Sequence, residues 1–135
     1  MWTSTLFGGN SSMWLDHPEG TDEPFFWMLA ATPQARVAEI HSPANWWDFA
    51  SRYRDPSPGY VYNPQAQRTA AFERLDPDWS RVAADWDAVH LSIGGYLTAE
   101  DVPFERDGVT TELRGWNLES TVWLRWVFES YERIA

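Results

Sequence analysis

The chain contains no cysteine and no lysine. Without thiols it forms no disulfide, holds no thiolate-ligated zinc and offers no cysteine nucleophile. Without an ε-amino group there is no Schiff-base residue and no P-loop lysine. All ten basic residues are arginine, set against twenty Asp and Glu, for a formal charge of −10. That balance opposes an extended phosphate backbone, whose affinity comes from cationic side chains, so nucleic acid is not an expected partner. Histidine is also scarce. His17, His41 and His90 lie far apart with no ligand-like spacing, and no metal site is expected. No apolar run approaches the length that spans a bilayer, and the opening M-W-T-S-T-L-F-G-G lacks the basic and apolar regions of a secretory signal. The expectation is a cytoplasmic protein with no membrane partner. Neither G-x-S-x-G nor G-x-G-x-x-G occurs, and no cofactor is named by any motif.

Aromatic residues, by contrast, are in surplus. Ten Trp, seven Phe and five Tyr stand among 135 residues. Indole rings bury large area but carry an N–H that needs an acceptor, so they gather in cores, ligand pockets and interfaces. The surplus over what one core absorbs points to a Trp-lined pocket or contact surface. Length alone predicts one domain over 1–135 with a core of its own.

The organising stretch runs from Asp76 to Leu97. Asp76-Pro77 reads as a helix start, and Trp79, Val82, Ala83 and Trp86 fall at i, i+3, i+4, i+7 on one face. The period then changes to two: Val89, Leu91 and Ile93 alternate with Ala88, His90 and Ser92, as in a half-buried strand closed by Gly94-Gly95.

Upstream, Gly8 to Ser12 reads as a turn, and Asp16, Glu19, Asp22 and Glu23 form an acidic patch. Phe25 to Ala30 is an all-apolar run suited to a strand buried on both faces. Arg36 to His41 alternates as a strand, with Val37, Glu39 and His41 on one side. Ser42-Pro43 opens a helix with the stripe Trp46, Phe49, Ala50, Tyr53. Tyr60-Val61-Tyr62 reads as a short strand, and Asn63-Pro64 as the start of a third helix carrying Arg68, Ala71, Phe72 and Leu75, with a mobile loop or lid over Gln65 to Arg74 as the alternative. Past the hub, Asp107-Gly108 between two β-prone runs signals a hairpin. Thr121 to Phe128 reads as a last strand, with Thr121, Trp123, Arg125 and Val127 on one face. The sum is α+β: about five or six strands, mostly antiparallel, with two or three short helices.

The pattern D-W-x-x-V-A-x-D-x-D-A-V-H-L-x-x-x-G-Y-L spans Asp78 to Leu97; Gly115-Trp116 and Trp123-Leu124 come after it, and S-P-x-x-W, Ser42 to Trp46, precedes it. In these segments the chain resembles small Trp-rich actinobacterial proteins of no established activity. The resemblance implies a GC-rich bacterial source and a cytosolic setting, and it assigns no catalytic residue.

Candidate site residues come from the face pattern. If the hub strand and the last strand are neighbours, His90 and Ser92 converge with Trp123 and Arg125, and Glu119 or Asp87 lies close by. His90 and Glu119 are then the candidates for proton transfer, and Ser92, Tyr96, Trp116, Trp123 and Arg125 for ligand binding. The alternative is a His90 that bonds a carbonyl beside a surface Trp123–Arg125 stack. A second arrangement, Arg36, Ser92 and Glu119 handling a nicotinamide nucleotide, is the remaining enzyme idea. The leading expectation is a protein that binds a small organic ligand in a Trp-lined pocket, with a small metabolic or biosynthetic enzyme as one form of it. The rival is an acidic inhibitor or immunity-type protein masking a basic surface on a partner. A homodimer that buries the Trp surface is the third.

Overall fold

The structure, a computed structural model, describes residues 1–6, 27–57, 59–63, 68–72, 74–116 and 118–133. The predicted turn at Gly8–Ser12 and the acidic patch from Asp16 to Glu23 lie outside the described residues. The fold is α+β. Its centre is a four-stranded sheet in the order β1 (Trp2–Thr3), β9 (Ser120–Trp123), β6 (Ala88–Leu91), β3 (Val37–Ile40). β1 runs antiparallel to β9 and β9 to β6, while β6 runs parallel to β3. The chain between β3 and β6 carries helix α1 (Pro43–Arg52), a hairpin of β4 (Gly59–Asn63) and β5 (Arg68–Phe72), and helix α2 (Trp79–Asp85). Helix α3 (Ile93–Ala99), a second hairpin of β7 (Phe104–Arg106) and β8 (Val109–Thr111), and a ribbon of β2 (Trp27–Ala31) with β10 (Phe128–Arg133) complete it.

Sheet registry gives each face its character. Ala38, Val89, Val122 and Trp2 share one rung, and Ile40, Leu91 and Ser120 another on the same side. This side meets Trp46 and Ala50 of α1, Tyr53 at its C-cap, Val82 of α2, and Leu75, Leu113 and Trp116 in the core. Two of the indoles find acceptors there: Trp46 Nε1 donates to Thr111 Oγ1 at 3.0 Å, whose hydroxyl passes to the Leu75 carbonyl at 2.6 Å. Trp86 Nε1 donates to the Tyr53 hydroxyl at 2.8 Å, which donates to Asp85 at 2.7 Å.

Several local expectations are corrected. Asp78, two residues past Asp76, caps α2 by accepting from Ser80 N and Arg81 N. Asp76 is drawn away by Arg74, 2.9 Å from its carboxylate. The hub strand stops at Leu91, because Ser92 accepts from Gly95 N at 3.1 Å and starts α3. Gly94-Gly95 therefore lies inside a helix instead of ending a strand. A Cβ on Gly95 would be driven into the Ile40 carbonyl oxygen and to 2.7 Å from Leu91 Cδ1, so only glycine lets α3 lie this close to the sheet. Among the described residues no helix forms after Asn63: residues 68–72 pair with 59–63, a ladder that wins over the sparse stripe of Ala71, Phe72 and Leu75. The single strand expected from Thr121 to Phe128 is two. Leu124 N donates to the Asp87 carbonyl at 2.9 Å, just before β6 begins, and the chain then leaves to pair with β2. The Phe25–Ala30 run is not doubly buried either, since Trp27 at its described start is 53 % exposed in the ribbon. The Asp107-Gly108 hairpin forms as read, with φ of 55° and 76° at its two turn residues.

Candidate functional site

The sheet face opposite the core is polar, and its residues come from four chain segments far apart in sequence. Thr3, Thr121, His90 and Glu39 form one rung across all four strands. The same registers carried one rung onward set His41 beside Ser92 and Ser92 beside Glu119. One rung back, Trp123 stands opposite Ala88. Glu119 and Trp123 are thus the two diagonal neighbours of His90 across β6 and β9, within reach of long side chains.

His90 is held at both ring nitrogens. Its Nε2 lies 2.7 Å from Glu119 Oε1 and its Nδ1 2.6 Å from Glu39 Oε2. An ionised carboxylate only accepts, so a ring that bonds to two of them donates from both nitrogens and is the imidazolium. The Glu119 bond is the largest influence raising the His90 pKa above its ordinary 6.5; burial opposes it, and Glu39 adds to the rise. The two carboxylates differ in setting. Glu119 is 1 % exposed, and takes Ser4 Oγ at 2.9 Å, Thr5 Oγ1 at 2.6 Å and Thr5 N at 3.2 Å in addition to His90. Burial pushes its carboxyl up, but the bonds from His90, Thr5 and Ser4 outweigh that and hold it below its ordinary 4.5. Glu39, on β3 at the end of the strand order, has a side chain 46 % exposed.

Trp123 stands on this face with its Nε1 donating to Thr3 Oγ1 at 2.8 Å and its ring edge-on to Phe128 at 4.6 Å. Ser92 lies one rung away, 3.0 Å from His41 Nδ1, and serves as the α3 cap. The other predicted residues are elsewhere. Tyr96 packs from α3 against the core, and Trp116 is buried there, edge-on to Trp2 at 5.0 Å. Arg125 bonds to the Ala83 carbonyl and to Asp87 Oδ1, the latter at 3.1 Å. Arg36 meets the same Asp87 through its backbone N at 2.7 Å. Because Arg36 and Asp87 lie at the opposite end of β3 and β6 from Glu119, about 16 Å away at strand rise, the arrangement Arg36, Ser92, Glu119 does not converge.

The described tryptophans do not line one pocket. Trp46 and Trp116 are buried, Trp47 and Trp86 pack on the core, and Trp2, Trp27, Trp79 and Trp126 are exposed. Sequence reasoning missed Glu39, His41, Ser4 and Thr5 as neighbours of the candidate residues. The alternation Val37, Glu39, His41 did place two of them on one face, but only the parallel pairing of β3 with β6 brings that face to His90. Among the described residues no group of three or more His, Cys, Asp or Glu is arranged to hold a metal ion, and no helix is long and apolar enough to cross a membrane. No protein-family model, curated protein or solved structure matches the chain.

Proposed function

We propose that the chain binds a small organic ligand on the polar sheet face around His90. The observation that supports this reading is the clamp on the imidazole, a fully buried carboxylate on one nitrogen and a half-exposed one on the other. Ionisable groups with displaced pKa values, gathered by a specific charge partner, concentrate at functional sites. The ligand meets His90 Nδ1 at the position where the Glu39 carboxylate now lies, with the Trp123 indole and the Ser92–His41 pair on the flanking rungs. As the imidazolium, His90 acts as a hydrogen-bond and proton donor instead of a base, which limits any chemistry here to donation. Glu119 is its positioning partner. Native mass spectrometry of protein drawn gently from its host's lysate tests the reading: a retained mass of a few hundred daltons that is lost in a His90→Gln variant supports it. An unliganded wild-type protein that also ignores small-molecule probes in titration contradicts it.

One observation favours a second reading, an acidic protein that docks on a basic partner. Trp27 and Tyr131, 53 % and 66 % exposed, meet at 5.8 Å across the β2–β10 ribbon, and Trp126 nearby is 63 % exposed. Exposed Glu129 and Glu132 share the ribbon, in a chain of net charge −10. Aromatic anchors within an acidic surround suit a basic surface. On this reading a Trp27→Ala, Tyr131→Ala variant loses a partner that wild type retains, and association slows steeply with salt. A salt-insensitive interaction counts against it, and a dimer by light scattering that the same variant disrupts assigns the ribbon to self-association.

A further inference from the structure

Resting on the ligand site just proposed, we infer that its ligand is a small organic monocarboxylate, and that Glu39 is a resident stand-in occupying the ligand's place on His90 Nδ1. The two carboxylates that flank the ring are not equivalent. Glu119 is enclosed and bonded by Ser4 and Thr5 as well as His90, so it cannot leave without stranding several donors. Glu39 has a half-exposed side chain and sits at the end of the strand order, and the His90 ring is the only hydrogen-bond partner of its carboxylate among the described residues. A rotamer change at Glu39 gives up one half-exposed charge-assisted bond and uncovers one N–H donor that remains positive, because Glu119 stays in place behind it.

An acceptor must fill that position, and the present occupant shows that a carboxylate oxygen fits it at 2.6 Å. The rest of the face selects within that class. The chain already carries a charge of −10, which penalises a multiply charged anion more than a single one. Trp123, diagonal to His90, offers an indole to an apolar or aromatic body attached to the acid. An amine would have to bind Glu39 in competition with His90, leaving the imidazolium without its second acceptor.

The test monitors the His90 imidazole by NMR while benzoate, acetate, sulfate and benzylamine are titrated into wild type, Glu39→Ala, Glu39→Gln and His90→Gln. Removing an occupant that fills the site about nine-tenths of the time tightens benzoate binding by about ten-fold in Glu39→Ala. Glu39→Gln, which keeps the side-chain shape, gives an intermediate gain and checks that the effect is not a loss of fold. Acetate binds more weakly than benzoate, benzylamine leaves the ring unmoved, and His90→Gln binds no benzoate. Equal benzoate affinity in wild type and Glu39→Ala overturns the inference, as does sulfate binding as tightly as benzoate. If benzylamine moves the ring and benzoate does not, the site stands and the carboxylate class falls. If no probe moves the ring in any variant, the ligand site itself falls.

Discussion

Replacing Glu119 by glutamine exchanges one carboxylate oxygen for an NH₂ in a side chain that is 1 % exposed. The carboxylate accepts from Ser4 Oγ, Thr5 Oγ1, Thr5 N and His90 Nε2. Glutamine keeps one acceptor oxygen, and its NH₂ faces donors on every side. Either a hydroxyl and an amide lose their acceptor, or His90 gives up its Nε2 proton and with it the charge that holds Glu39. Breaking a buried pair by removing one partner costs about 3–5 kcal/mol. His90 keeps Glu39 and has 18 % of its side chain exposed, so the lower end, about 3 kcal/mol, is expected, or a fall in Tm of about 10 °C for a domain of this size.

The pH dependence makes the test specific. Glu119 has a lowered folded pKa, so its contribution is present above its ordinary 4.5 and is lost as pH falls through the folded value. His90 has a raised folded pKa, so its contribution is fully present below 6.5 and is lost as pH rises through the folded value. The gap between wild type and Glu119→Gln, measured by urea unfolding with tryptophan fluorescence, is therefore widest between pH 4.5 and 6.5 and narrows on both sides. A gap below about 1 kcal/mol, the scale of an ordinary exposed ion pair, refutes the reasoning, as does a gap that does not vary with pH.

Other consequences are open to direct measurement. Gly95→Ala forces either α3 or β3 to move, because the obstacle is the Ile40 backbone; a loss of at least about 3 kcal/mol is expected in denaturant unfolding, and a loss under about 1 kcal/mol would show that α3 shifts freely. Trp46→Phe removes the donor to Thr111 Oγ1 and leaves most of the ring packing, at a cost of about 1–2 kcal/mol, whereas an additional Thr111→Val adds less than its single-mutant cost because the two share one bond. Asp87→Asn weakens the hold on Arg36 N and Arg125 at the other end of β6, destabilising by about 1–3 kcal/mol while leaving the His90 titration unmoved; a displaced His90 pKa would mean the two ends are electrostatically coupled.

Much of the scaffold was legible because local chemistry decided it. Ser42-Pro43 with its stripe marked α1, the period change at Ala88 marked β6, and Asp107-Gly108 marked the β7–β8 turn. Local chemistry misled where two signals overlapped. Asp76-Pro77 and Asp78 both offer a cap, and Arg74 decides between them by claiming Asp76. Ser92 continues the alternation of the strand and also caps the next helix, and the second role wins. The Asn63-Pro64 signal lost to a hairpin whose pairing partner no local rule identifies.

At the site, His90, Glu119 and Trp123 were readable together because they need only the antiparallel neighbours β6 and β9, whose face patterns match. Glu39 and His41 were not, since a parallel pairing across an intervening stretch with two helices and a hairpin sets their register. Ser4 and Thr5 reach Glu119 only because the two-residue β1 docks on β9. Arg125 shares a sequence face with Trp123 but lies past the end of the strand, where alternation no longer governs direction and Asp87 takes it.

The central claim is that Glu119 and Glu39 hold His90 as an imidazolium on a ligand-binding face. ¹⁵N and ¹H spectra of the ring, recorded on wild-type protein from about pH 5 to about pH 9, across the range where an imidazole titrates, test it most directly. The structure predicts two hydrogen-bonded ring N–H protons and a doubly protonated ¹⁵N pattern that persists above pH 6.5, with the Nδ1 signal moving when benzoate is added. A ring that loses one proton at or below pH 6.5, with a single N–H and no response to benzoate, contradicts the account.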